Sequence, residues 1–196
     1  MGVIAEVSET LVDALTDALS VFTPPPAPIA TLHDLQQSVP ASPATLAVFL
    51  YDVSEDASTR NRPMVRRPTV AGADYFKPPL TLLLKYLLVP FAGDRTTEQQ
   101  MLGRTMQVLY EHPIFSGPDL RGTAAPAGLV GSAEIVTTKL DPLTLDERSR
   151  VWYAIQKPYR LSLSYQIRVV NIDPQVGQPV PLVRSRNFDP AFPVDA

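Results

Sequence analysis

The stretch YRLSLSYQIRV, residues 159–169, decides how this chain folds. Tyr159, Leu161, Leu163, Tyr165, Ile167 and Val169 alternate without a break with Arg160, Ser162, Ser164, Gln166 and Arg168. Successive side chains of a β-strand point to opposite faces, so this order makes one face apolar and the other polar. At roughly 3.3 Å per residue such a strand runs about 36 Å, long for a globular protein. Burial of its six large apolar side chains is worth about 9–18 kcal/mol before costs, at about 1.5–3 each. A slip of one residue would turn all of them to water, so the register is strongly specified. The polar face is left for solvent or a partner.

Working outward from this strand, Pro158 closes the helix that precedes it. That helix opens on Thr144, Leu145, Asp146 and Glu147, which have the form of a capping box, and it carries Trp152 and Ile155. Residues 132–140 read as a strand centred on Ile135 and Val136, after a Gly/Ala/Pro-rich loop at 116–131. Residues 94–111 form the best-marked helix, capped by Asp94 or Thr96, with Glu98 in its first turn and Pro113 beyond its end. Leu102, Met106, Leu109 and Tyr110 make its apolar stripe, and Gly103 is expected to allow close approach to the sheet. The runs LTLLLKYLLV (80–89) and TLAVFLYDV (45–53) read as strands buried on both faces. A helix over 4–22 follows from Ile4, Val7, Leu11, Leu15, Leu19 and Phe22. A helical turn is expected in 31–38, and residues 179–188 read as an edge strand because of Pro179 and Pro181.

With 196 residues, one domain spanning 1–196 is expected, its sheet mainly antiparallel with four or five strands and about three helices: a two-layer α+β fold. Proline is abundant, 21 residues, and marks extended arms at about 23–43, 54–79 and 174–196. Residues 54–79 show no periodicity and read as a long functional loop. There is no cysteine, hence no disulfide framework or thiolate metal site. No basic-then-apolar leader begins the chain, and the most apolar run, 80–92, is too short to cross a bilayer, so a soluble protein is expected. Charge is unevenly placed. Residues 1–59 hold eight acids and no Lys or Arg, while 60–196 hold seventeen bases and twelve acids, so that −8 and +5 give the net −3. Such a chain can match copies of itself head to tail.

Chemistry is scarce. His33 and His112 are the only histidines, no metal-ligand spacing occurs, and GLVGS at 128–132 lacks the second glycine of a nucleophile elbow. His112 sits at a helix end, where its side chain commonly meets the last carbonyls. Arg60, Arg62, Arg66 and Arg67 could grip phosphates, which makes a nucleic-acid-binding module the non-structural alternative. The acidic balance of the chain and the lack of interleaved aromatics weigh against it. No catalytic, cofactor-binding or metal residue is identified, and an enzyme is not expected.

The strings LLLKYLLVPFAGD (82–94), EQQMLGRTMQVLYEHPIF (98–115) and LDPLTLDERSRVWYAIQKPYRLSLSYQIRVV (140–170) resemble the cap-protein domain of phage-tail-like contractile injection particles. The resemblance covers roughly residues 5–190. It implies a fold similar to phage tail terminators and a homohexameric ring on the inner tube and last sheath layer. Such a ring stops tube growth, fixes particle length and ties sheath to tube at the end away from the baseplate. It further implies no catalytic residues, and as partners the chain itself, the inner tube protein and the sheath protein, with no nucleic acid and no membrane insertion. Assembly in the bacterial cytoplasm is expected, and a tail-completion or baseplate adaptor of the same particle is the alternative position. The candidate contacts to neighbouring subunits, tube or sheath are Arg60, Arg62, Arg66, Arg67, Arg160, Arg168, Arg184 and Arg186. An edge strand over 180–187 is expected to complete an unpaired sheath strand by β-augmentation.

Overall fold

A computed structural model describes residues 2–23, 25–70, 72–125, 128–172 and 178–181. Its spine is strand β5 (Leu80–Phe91), which runs straight through Pro90 instead of ending at Val89. Leu82, Leu84, Tyr86 and Leu88 point to one face and Leu87 and Val89 to the other, and all are buried. β5 lies between β2 (Thr45–Glu55) and β8 (Leu163–Ile172), antiparallel to both. β1 (Ile29–Leu32) joins β2 in parallel, and β7 (Ile135–Leu140) and β6 (Ile114–Ser116) complete the order β1-β2-β5-β8-β7-β6. A second, antiparallel sheet has the order β3-β4-β9, from β3 (Val65–Thr69), β4 (Gly72–Phe76) and β9 (Gln178–Pro181). The class is α+β with, among the described residues, three helices, as expected, but the strands there number six and three where four or five were counted.

Helix α1 (Val3–Leu19) lays Val7, Leu11, Leu15 and Leu19 on one face of the large sheet. Helix α2 (Arg95–Glu111) packs beside it. Its buried side is Met101, Leu102, Thr105 and Leu109, whereas Met106 is 40% and Tyr110 86% exposed. The stripe read from the sequence was rotated, because Tyr110 and Met106 at i and i−4 mimic the true i, i+4 line of Met101, Thr105 and Leu109, which a threonine disguises. Gly103 faces open space, with nothing within 4 Å of where a Cβ would stand, so it permits no close packing. Helix α3 (Leu145–Ile155) covers the opposite face of the sheet, where Trp152 and Ile155 meet Leu35, Ala47, Leu87 and Val89.

The stretch 159–169 behaves differently from its alternation. Pairing begins only at Leu163, and Tyr159 and Leu161 are about half exposed. Ser162 and Ser164 on the nominally wet face are 1% and 2% exposed, because α3 lies over them and the Trp152 indole N–H donates to Ser162 Oγ at 3.4 Å. Alternation within a strand says which residues share a face and not what covers it. The segment 54–79 is likewise no loop. β2 extends to Glu55, a 3-10 turn follows at Ala57–Thr59, and β3 and β4 form a hairpin. The turn expected in 31–38 is replaced in part by β1, and Leu35 beyond it is buried, so this part of the proline-rich stretch 23–43 is built into the domain.

One buried group ties α1 to the loop that follows β6. Glu6, 6% exposed, accepts the backbone N–H groups of Thr123 at 3.1 Å and Leu129 at 2.7 Å. Gly122 (φ +113) and Gly128 let the loop close around this carboxylate, since a Cβ at either would overlap the Glu6 side chain.

Candidate interaction surfaces

The arginines singled out by sequence fall into separate places. Arg60 Nη2 pairs with Glu55 at 2.7 Å, which raises its pKa, and Arg67 stacks 4.5 Å over the ring of Phe76. Both sit with exposed Arg62 and Arg66 around the hairpin, beside a depression lined by Arg60, Arg62, Lys77, Leu80 and Gln178. Arg168 Nε pairs with Asp56 at 2.7 Å. The Ser58 hydroxyl first, and then Arg168, hold the Asp56 carboxyl down at about 2. Arg160 lies at the far end of β5, where it stacks 4.3 Å over Phe91 and donates to Glu98 Oε1 at 2.5 Å. Arg184 and Arg186 lie outside the described residues.

Tertiary pairing consumes part of the charge split. Asp13 meets Arg121, Glu55 meets Arg60 and Asp56 meets Arg168, each joining an acid of the first 59 residues to a later arginine. Exposed Glu9 and Asp17 remain on α1. The polar face of β8 is divided too. Under α3, Tyr51 OH and Ser164 Oγ lie 2.9 Å apart, and Lys85 Nζ lies 3.4 Å from Asp141. Burial, the largest single influence, pulls the Lys85 pKa down, but Asp141, Tyr51 and Asp52 together outweigh it and the net shift is upward. Beyond α3 the same face stays open, with Ile114 and Ile135 about half exposed beside Lys139.

The sheet edges at β1, β3 and β9 are blunted. Thr16 Oγ1 accepts the Ala30 N–H at 3.1 Å and caps the outer side of β1. Pro68 removes a backbone donor from β3, and Pro179 and Pro181 alternate with Gln178 and Val180, the partners of Tyr75 and Ala73. Proline has no N–H to donate, so the free side of β9 lacks donors over this span. Most of the expected edge strand 180–187 lies outside the described residues.

A groove of about 500 Å³, unmarked by any sequence pattern, opens at the Phe91 end of β5. Phe91, Trp152, Leu35 and Val39 supply apolar walls, and Arg95, Lys157 and Arg160 line it with no Asp or Glu. Arg95 and Arg160 share the single carboxylate of Glu98 just outside. Leu35 and Gln156, the two non-glycine residues with positive φ among those described (both 60°), flank it, and Gln36 Nε2 reaches Ile155 O at 3.4 Å between them. His112 meets the last turn of α2 through its backbone N–H, which donates to Val108 O at 2.8 Å. Among the described residues there is no cluster of His, Cys, Asp and Glu able to hold a metal, and no helix long and apolar enough to cross a membrane.

These features define a small α+β domain with the fold of the tube terminators of contractile injection systems. The chain superposes on the sheath/tube terminator of the PVC extracellular contractile injection system in its extended state with a TM-score of 0.61 and 20% identity, covering 96% of this chain and 64% of that one. The cap of the anti-feeding prophage, its tube-terminating cap, gives 0.57 and 18%, covering 95% and 60%. At such identities the likeness is one of fold, and the chain spans less than two thirds of either relative. The family model of the Pvc16 N-terminal domain matches residues 6–186, and the chain belongs to that family. Comparison with curated proteins gives no match.

Proposed function

We propose that this chain is a structural cap of a contractile injection particle, a ring of six copies that ends the inner tube and the last sheath layer away from the baseplate. It acts without catalysis or cofactor, its partners are its own copies, the tube protein and the sheath protein, and it fixes particle length by occupying the growing end. Assembly takes place in the bacterial cytoplasm. The observation that carries the reading is the terminator fold, shared over nearly the whole chain with a solved sheath/tube terminator and a solved tube-terminating cap. Blunted strand edges also suit a protein that must stop an assembly instead of templating its next layer.

The test is electron microscopy of particles from cells lacking this gene. Tubes of uneven length with detached or prematurely contracted sheaths are expected. Uniform, fully sheathed particles would refute the cap role.

A further inference from the structure

The groove at the Phe91 end of β5 has the chemistry of a binding site for an aromatic side chain next to a carboxylate. Its walls are apolar and aromatic, and its charged lining residues, Arg95, Lys157 and Arg160, are all cationic. Glu98 answers Arg95 and Arg160 together with one negative charge, so the surroundings stay net positive. Backbone held at positive φ in Leu35 is costly for a residue with a Cβ, and such positions gather where a surface is shaped for a ligand, whereas Gln156 at positive φ is the C-cap that ends α3. The chain itself contains a segment of matching character. FDPAFPVD, residues 188–195, has two phenylalanines and two aspartates and no cation.

Reach points to a neighbour. Gln178 lies beside Leu80 and Thr81, at the opposite end of β5 from the groove. Leu80 to Phe91 spans about 36 Å. A straight chain from Gln178 to Phe188 also covers only about 36 Å, with nothing left for a path around the molecule. The next copy's groove needs no such taut chain.

We propose that the groove seats residues 188–195 of a neighbouring copy, with Phe188 against Phe91 and Trp152 and Asp189 against Lys157 and Arg95. The inference deepens the ring reading, for which it supplies a head-to-tail contact.

Trp152 is the only tryptophan in the chain and lines the groove, so its emission reports occupancy. A chain carrying Phe188→Ser and Phe192→Ser, its fold verified by circular dichroism, is titrated with a peptide of residues 186–195 blocked at both ends. A saturable change in emission is expected, weakened about tenfold by Lys157→Glu. The absence of saturation, or equal binding to the Lys157→Glu chain, overturns the groove assignment and leaves the ring reading standing. Sedimentation then compares native and Phe188→Ser/Phe192→Ser chains. Self-association weakened about tenfold is expected. Unchanged self-association overturns the neighbour assignment, and a native chain that never self-associates overturns it together with the ring.

Discussion

At the scale of single residues, the most consequential side chain is one that no pattern distinguishes. Glu6 occupies a position on α1 that its neighbours Val7 and Thr10 also bury, and its two hydrogen bonds reach across more than a hundred residues to Thr123 and Leu129. Charged acceptors of backbone N–H groups are worth more than neutral ones, and their removal leaves the donors unpaired. Glu6→Ala is expected to lower unfolding stability by about 2–4 kcal/mol in urea titration. Glu6→Gln, which keeps one acceptor, should lose about half as much. The Asp56 carboxyl is depressed from 3.8 to about 2, so its contribution is complete above about pH 4 and lost as pH falls towards 2. Asp94 and Glu147, which cap α2 and α3, are lowered as well and act in the same direction. Urea midpoints should therefore drop between pH 4.5 and pH 2, and less steeply in Asp56→Asn, which begins from a lower value. An equal slope in that variant would show that the carboxylate adds nothing.

At the scale of elements, helix ends were readable because their chemistry is local. Thr144 Oγ1 accepts the Glu147 N–H at 3.3 Å and the Glu147 carboxylate returns to the Thr144 N–H at 2.8 Å, as the four residues 144–147 implied. Thr144→Ala should cost about 1 kcal/mol. Gly103→Ala on exposed α2 should raise stability by up to about 1 kcal/mol, since the added methyl meets nothing. Thermal melts of the two variants should thus shift in opposite directions, and a destabilising Gly103→Ala would mean that an unseen contact occupies that space. Short strands were harder to read. β1, β6 and the β3–β4 hairpin are three to five residues long, too few for periodicity to register, and they exist because a longer strand offers them a ladder.

At the scale of the whole molecule, charge that is separated along the chain is not simply separated in space. Three of the eight acids in 1–59 are neutralised internally. What remains is still asymmetric. α1 reaches the Pro90 end of the sheet through Thr16 and Ala30, which pairs beside Leu46 opposite Pro90, whereas Arg62 and Lys77 surround the Leu80 end. The cationic groove shares the Pro90 end with α1, so the complementary pairing on offer is between the exposed acids of α1 in one copy and the cations around the Leu80 end of the next, a heterologous contact. Self-association measured by sedimentation should weaken about tenfold between 0.05 and 0.5 M salt, and by a similar factor on Arg62→Glu with Arg66→Glu. Association indifferent to salt would show that apolar contacts alone hold the copies together.

What the amino-acid order determined by itself was what near neighbours govern: the three described helices, the caps of α2 and α3, and the long strands β2, β5 and β8. The family resemblance was legible in the three strings between 82 and 170. What only the tertiary structure decided is which surfaces are free. Alternation assigned Ser162 and Ser164 to a polar face, but a helix from elsewhere in the chain covers them. The groove between residues 35–41, Phe91 and 157–160 is assembled from three distant segments, and no single stretch carries its signature. Hydrogen bonding and side-chain periodicity act over a few residues, whereas burial is set by whatever packs on top.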